Sequence, residues 1–147
     1  MAVKFEVIEN NKDEILGSLD EAIERALEAM GMQAEAYAKA ACSAVDTGLL
    51  RNSITYALGG KPAAKGSYTA SNPKPGKPSS GSYSGSAPAE KNTVFIGTNV
   101  EYAPYIEMGH SLPSGGHVAG IHFLEHAVLG HTAEYKELVE AALKGFK

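Results

Sequence analysis

The segment from Lys12 to Ala44, KDEILGSLDEAIERALEAMGMQAEAYAKAACSA, decides the fold, because it predicts one long amphipathic helix. Its apolar residues recur every three or four positions, which places them on one face of a helix. Acidic residues occupy the first turns, where they oppose the positive end of the helix dipole, and the alanine-rich second half favours helix. The apolar positions are Leu16, Leu19, Ile23, Leu27, Met30, Ala34, Tyr37 and Ala41.

A short strand is expected before this helix, from Val3 to Ile8, because its apolar and charged residues alternate. Asn11 and Glu14 resemble a capping box, in which the Asn side chain accepts a hydrogen bond from an early helical N–H. The sequence thus predicts a strand that passes directly into the long helix.

Two further strands follow the helix and enclose a long insertion. Ser53–Leu58 and Thr93–Thr98 alternate β-branched and aromatic residues, which predicts an antiparallel hairpin. Residues 59–91 between them, which we call the arm, are rich in Gly, Pro, Ser and Lys. Such a composition buries too little apolar surface to offset the entropy of ordering. We expect either a flexible hairpin tip or a segment that becomes ordered only against a partner.

The arm also concentrates positive charge. It carries a net charge of +4 in a chain whose formal net charge is −4, so the remainder carries −8. A basic loop on an acidic body suits docking to the acidic surface of a neighbouring copy. The candidate contact residues are Lys61, Lys65, Tyr68, Lys74, Lys77 and Tyr83.

The C-terminal third predicts short helices. Tyr102–Gly109 reads as one helical turn that ends at Gly109, and a glycine-rich loop occupies residues 110–120. A helix is expected over 122–129, followed after Gly130 by a last helix capped by Thr132. The whole chain, residues 1–147, is therefore expected to form a single α+β domain, with the long N-terminal helix and the C-terminal helix packed on a small antiparallel sheet.

Composition narrows the possible classes of protein. A chain of 147 residues with 44% hydrophobic and 20% charged residues suits one compact domain. No apolar run is long enough to span a bilayer, and the N-terminus lacks the apolar core of a signal peptide. Cys42 is the only cysteine, which excludes an internal disulfide and agrees with synthesis in a reducing compartment.

Asp46-Thr47-Gly48 shares three letters with the catalytic motif of aspartic proteases. Those enzymes need two carboxylates that share a proton, and this chain supplies one such motif, directly after a strong helix. Asp and Thr are also suited to end one helix and cap another, and Gly can adopt turn conformations that strain other residues. We interpret the motif as a structural corner.

The five histidines all lie in the last third of the chain, and His122-Phe123-Leu124-Glu125-His126 matches the inverted zincin motif H-x-x-E-H. Imidazoles at positions i and i+4 share a helix face, so His122 and His126 could chelate one metal ion while Glu125 polarises a water molecule. A third ligand is not marked by the sequence, and solvated or interfacial histidines explain the pattern equally. A zinc-dependent hydrolase is therefore the alternative function, with His122 and His126 as weak metal candidates.

Interleaved Lys and Tyr in the arm can also track a nucleic-acid backbone through charge and stacking. The arm has no Arg, however, and the protein is acidic overall. A nucleic-acid-binding module is thus a third reading of the sequence.

Three motifs together resemble a known family. They are VDTGLLRNSI at residues 45–54, VFIGTNVEYAPYIEMG at residues 94–109 and FLEHA at residues 123–127. Their order and spacing are similar to those of the tail-completion (head–tail joining, minor tail) proteins of long-tailed bacteriophages. His110 replaces the usual Thr, and Gly120-Ile121-His122 replaces the usual Arg-Pro.

The resemblance implies a non-enzymatic structural protein of the virion that needs no cofactor. Such proteins form a hexameric ring at the head-proximal end of the tail, where the ring terminates the tail tube and joins the DNA-filled head. The implied partners are further copies of the chain, the tail tube protein and the head–tail connector or neck proteins. DNA would pass nearby without sequence-specific binding, no membrane would be involved, and assembly would take place in the host cytoplasm.

The motif residues would then serve structure rather than chemistry. We expect Tyr102 and Tyr105 to pack on the sheet, and Glu107 to pair with Arg51, because the guanidinium fork suits a carboxylate. The structural motif residues are Asp46, Thr47, Gly48, Arg51, Tyr102, Pro104, Tyr105, Glu107, Gly109, Phe123 and Leu124.

Overall fold

The long helix is present as α1, Lys12–Ala41, in the computed structural model, which describes residues 10–43 and 46–145. It ends three residues before the predicted Ala44. The predicted capping box is wrong: the Asn11 side chain caps no helical N–H, and Asn10 Oδ1 instead accepts from Lys12 N at 3.2 Å. The predicted strand Val3–Ile8 lies outside the described residues.

The buried face of α1 is a stripe of small residues. Larger apolar residues flank the stripe, although Leu16, predicted on the buried face, is 47% exposed. Position 31 of the stripe leaves no room for a side chain, because a Cβ there would come within 2.2 Å of the Tyr56 ring. Small side chains let neighbouring elements approach the helix axis closely. The stripe consists of Ala22, Ala26, Gly31, Ala34 and Ala38.

The predicted hairpin forms, with slightly shorter strands. β1, Thr55–Leu58, and β4, Val94–Gly97, pair antiparallel, with Thr55 opposite Gly97. Sequence reasoning missed a short helix before β1, which is α2, Leu49–Ser53. The turn of this helix carries the chain from the end of α1 into the sheet.

The arm lies against its own body in this structure. β2, Ser67–Thr69, and β3, Ser80–Ser82, form a second two-stranded sheet. Tyr68 is only 9% exposed and belongs to the core, and its ring centroid lies 5.1 Å from that of Tyr83. Composition hid this packing because the segment has only two aromatic side chains and is otherwise rich in Gly, Pro, Ser and Lys.

The C-terminal third follows the prediction with one addition. The loop predicted over residues 110–120 contains a small hairpin, and His131 rather than Thr132 occupies the position that precedes the last helix. The elements are α3 at Ala103–Met108, β5 at Gly109–Ser111, β6 at His117–Ala119, α4 at Phe123–Leu129 and α5 at Thr132–Lys144.

The core forms where α1 packs on α4, α5 and the β1–β4 sheet. Phe123, one of the motif residues, and Ile54 are fully buried in this core. The α+β class is therefore confirmed. In the described part of the chain, no helix has both the length and the apolar character required to cross a membrane.

Candidate functional site

Asp46-Thr47-Gly48 forms the corner before α2. Gly48 has φ +78°, a left-handed conformation that glycine adopts readily, and buried Thr47 accepts a hydrogen bond through Oγ1 from Leu49 N at 3.3 Å. Asp46 is exposed, and its carboxylate accepts hydrogen bonds from Lys74 and Lys77 of the arm.

These two lysines lower the pKa of Asp46 to about 2. An aspartic-protease dyad needs a pKa shift in the opposite direction. There the negative charge of one carboxylate raises the pKa of the other carboxyl, which therefore keeps its proton. Within the described residues, the groups bonded to the Asp46 carboxylate are two ammonium groups. The carboxylate therefore joins the corner to the arm through two exposed ion pairs.

A groove of about 620 Å³ opens between this corner, the arm and α3. Its lining is mainly apolar, with Leu49, Leu50, Pro78, Tyr102 and Ile106, and also includes the charged residues Asp46 and Lys77.

The remaining arm lysines singled out from the sequence also contact acids of the body. Lys61 pairs with Glu24, and Lys65 Nζ lies 3.0 Å from Glu35 Oε1. Partial burial raises the pKa of Glu35, but hydrogen bonds from Lys39 and Lys65 outweigh it and lower the pKa overall. The positive charge of the arm is thus engaged with acids of its own chain, which leaves less of it for a nucleic acid.

Tyr83 and Tyr68 attach the arm through polar bonds as well as packing. The Tyr83 hydroxyl donates to the Ser53 carbonyl oxygen, and the Tyr68 hydroxyl donates to Asn99 Oδ1 at 2.7 Å. Burial, followed by the nearby Glu35 charge, raises the pKa of Tyr83 to about 12. Both tyrosines, predicted as anchors to a partner, contact their own chain here.

The predicted pair between Glu107 and Arg51 is wrong. Glu107 Oε2 accepts from Leu124 N at 2.9 Å, and Oε1 accepts from Glu125 N at 3.0 Å. The first N–H groups of a helix have no partner within the helix, so a carboxylate held beside them is a strong cap. Within the described residues, Arg51 forms no ion pair and its side chain is exposed.

The predicted pair of metal ligands His122 and His126 is not brought together as a helical pair. His122 accepts the first helical hydrogen bond from His126 N at 2.8 Å, but it precedes α4 with a left-handed backbone, φ +50°, so its side chain is not oriented as in a regular helix. Its Nδ1 lies 2.9 Å from Glu125 Oε2, and Glu107 completes a group whose potential ligand atoms all lie within 4.8 Å of one another. Sequence reasoning missed Glu107 because it comes from another element, α3.

A second cluster that sequence reasoning missed joins α1 to α5. The rings of Tyr37 and His131 stack with centroids 3.4 Å apart, and Glu134 bonds both side chains. The hydrogen bond to Glu134 raises the pKa of Tyr37. Nothing in the spacing of these residues marks the cluster, because it depends on how two distant helices pack.

An apolar surface lies on α3 and the β5–β6 hairpin. Tyr105 and Met108 are 59% and 72% exposed, and Tyr102 is also exposed, so the predicted packing of the two tyrosines on the sheet is wrong. The chain carries no Asp, Glu, Lys or Arg from 108 to 121. We call this surface the α3–hairpin face; it consists of Tyr105, Met108, Leu112 and Val118.

Comparisons with known proteins identify one family. Residues 6–109 match the family described as "Bacteriophage HK97-gp10, putative tail-component". The match includes α1, the corner, the arm, the β1–β4 sheet and α3. Searches of curated proteins and of solved structures give no match. Since the match covers more than half of the chain, the protein belongs to the HK97-gp10-like family of bacteriophage tail components.

Proposed function

We propose that this protein is a non-enzymatic structural protein that completes the phage tail and joins it to the head. It would act as a ring of about six copies at the head-proximal end of the tail tube. The observation that carries the proposal is membership of a phage tail-component family over residues 6–109. Its partners would be further copies of itself, the tail tube protein and the connector or neck proteins, within the virion.

The α3–hairpin face supports an assembling subunit. Met108 is 72% exposed, and the chain carries no Asp, Glu, Lys or Arg from 108 to 121. An apolar, uncharged patch of this kind is typical of a surface that another protein covers. In a ring, each copy uses two different surfaces, so one face of a subunit contacts a different face of its neighbour.

The arm would form the second of the two contact surfaces that a ring subunit needs. Its lysines already bind three acids of the body, Glu24, Glu35 and Asp46, and all of these pairs are at least partly exposed. Exposed ion pairs are weak and exchange readily. A neighbouring copy or the tail tube would therefore compete for the arm by offering acids of its own.

Hydrogen exchange tests this role of the arm. We expect the amides of residues 61–88 to gain protection when the free protein enters an assembly. Protection that is identical in free and assembled protein would contradict an arm that acts in assembly.

The assembly itself is tested by light scattering and negative-stain microscopy of the full chain, alone and with tails that lack this protein. We expect rings of about six copies, or incorporation at one end of the tail. Met108→Glu should abolish assembly, because it places a charge in the proposed contact. Met32→Glu is the matched control, since Met32 is 57% exposed on α1, which is not part of the α3–hairpin face.

Three results would contradict the proposal. The first is a protein that stays monomeric and does not add to tails. The second is normal incorporation of the Met108→Glu variant. The third is equal loss of assembly in the Met32→Glu control, which would reject the α3–hairpin face as the contact.

The alternative function, a zinc hydrolase based on the H-x-x-E-H motif, is not supported. Its two histidines do not form a helical pair, and the family is one of tail components.

A further inference from the structure

Glu107, His122 and Glu125 form a cluster of possible metal ligands that belongs to no function described above. Glu107 lies on α3, His122 precedes α4, and Glu125 lies in the first turn of α4. One imidazole nitrogen and two carboxylate oxygens, all within 4.8 Å of one another, are the ligand types that Zn²⁺ accepts. We propose that this cluster binds a divalent transition-metal ion, with Zn²⁺ as the chemical match, and that the ion fastens α3 to α4.

The spacing of the atoms is close to that of a real site. Ligands about 2.1 Å from a tetrahedrally coordinated zinc ion are about 3.4 Å apart. His122 Nδ1 and Glu125 Oε2 are separated by 2.9 Å. Any separation in the cluster that exceeds about 3.4 Å, up to the limit of 4.8 Å, must shrink when the ion binds. Glu125 can supply this movement, since its side chain is 55% exposed.

Glu107 is already positioned by the fold. Both of its carboxylate oxygens accept backbone N–H groups of α4, which fixes the orientation of the carboxylate. Each oxygen keeps a second lone pair, so it can bind an ion without releasing the helix. Partners that orient a ligand in this way are a regular part of metal sites in proteins.

The charge of the cluster also favours a cation. Neither carboxylate forms an ion pair with a lysine or arginine anywhere in the described residues, whereas the acids under the arm do. Two carboxylates close together repel each other, and a divalent ion between them removes that repulsion. The ion would therefore stabilise the junction at which the chain turns from the β5–β6 hairpin into α4.

The cluster has no catalytic role in this inference. It also does not depend on the proposed place in the tail, because metal binding can be measured on the free protein.

The test is a titration of the full, untagged chain with Zn²⁺ by calorimetry, together with thermal unfolding at equimolar Zn²⁺. We expect one ion per chain and a rise in Tm on binding. His122→Asn and Glu125→Gln should weaken binding by about tenfold or more and abolish the rise in Tm. Asn suits position 122 because it tolerates the left-handed backbone there.

His126→Asn is the matched control, because His126 lies one turn further along α4 and outside the cluster. It should bind Zn²⁺ as the unmodified protein does. Equal loss of binding in His126→Asn would show a helical His122–His126 pair instead and overturn the inference. The inference is also overturned if the unmodified chain shows no saturable binding, or if His122→Asn and Glu125→Gln bind as tightly as the unmodified chain.

Discussion

Two glycines of the β5–β6 hairpin have nearly the same φ angle and very different surroundings. Gly109 has φ +81°, and a Cβ there would lie 2.3 Å from the Val118 carbonyl oxygen. Gly115 has φ +84° and nothing within 4 Å of the same position. Gly109 also has ψ 176°, a combination that is almost restricted to glycine, so both its backbone and its surroundings oppose a side chain.

We expect Gly115→Ala to lower the free energy of unfolding by about 1–2 kcal/mol, the usual effect of a left-handed non-glycine residue. Gly109→Ala should lower it by clearly more or prevent folding, because backbone atoms must also move. Urea denaturation of the two variants measures the difference. Equal losses would mean that the hairpin adjusts freely around position 109.

Glu107 and Arg51 form a second residue-level comparison. Glu107→Ala removes two hydrogen bonds to the first turn of α4, so we expect a loss of about 1–2 kcal/mol in the free energy of unfolding. Arg51→Ala should change it by less than about 0.5 kcal/mol, since the side chain is exposed. Chemical denaturation with a chelator present keeps metal binding out of the measurement. A larger loss from Arg51→Ala than from Glu107→Ala would support the pairing that the structure rejects.

At the scale of elements, the attachment of the arm to the corner is measurable through Asp46. Its folded-state pKa of about 2 lies below the usual 3.8 because of hydrogen bonds from Lys74 and Lys77. A lowered pKa means that the contribution to stability is present above pH 3.8 and is lost as pH falls through 2. We expect the double variant Lys74→Ala/Lys77→Ala to return the pKa of Asp46 towards 3.8.

An NMR titration of the Asp46 carboxyl carbon gives this pKa directly. Lys91→Ala is a suitable control, because Lys91 belongs to the arm but does not bond Asp46. An unchanged pKa in the double variant would mean that the two lysines do not hold the corner in solution.

Local patterns predicted the elements well. The period of α1, the alternation of the two strands, and Pro104 and Gly109 around α3 each depend on neighbours in sequence, and the structure confirms all of these elements. Contacts between elements were predicted less well. Glu107 was assigned to Arg51 and bonds α4, because the choice among distant partners depends on packing that no local pattern records.

The dependence on packing between distant elements also explains why the sequence did not predict the packing of the arm or the members of the cluster of possible metal ligands. Composition predicted a segment without its own packing, yet Tyr68 enters the core. The motif H-x-x-E-H pointed to His126, whereas the fold supplies Glu107 from α3. In each case the tertiary structure places one residue where the local sequence did not predict it, Tyr68 in the core and Glu107 beside His122. Whether the arm is flexible stays a prediction.

For the whole molecule, the family match ends at Gly109 while the core continues. Phe123 and Ala127 of α4 are almost fully buried, and α4 and α5 pack on α1. A chain shortened to residues 1–109 would leave this side of α1 in contact with water. We expect it to lose cooperative thermal unfolding, because one core includes both parts of the chain.

Circular dichroism during heating tests this prediction. Deletion of residues 73–77 from the tip of the arm is the control, since all five are exposed and this variant should still unfold cooperatively. A sharp transition in the 1–109 chain would show that the matched segment is a folding unit by itself.

The small-residue stripe of α1 has a consequence for the order of events during synthesis. The chain leaves the ribosome from the N-terminus, so Ala22, Ala26, Ala34 and Ala38 emerge long before the α4 and α5 segments that pack on α1. A nascent helix with leucine at these positions would offer a much larger apolar surface to chaperones and to other nascent chains. Alanine keeps that surface small until synthesis is complete, and the part of the helix that faces α4 and α5 is covered only when the last third of the chain has been made.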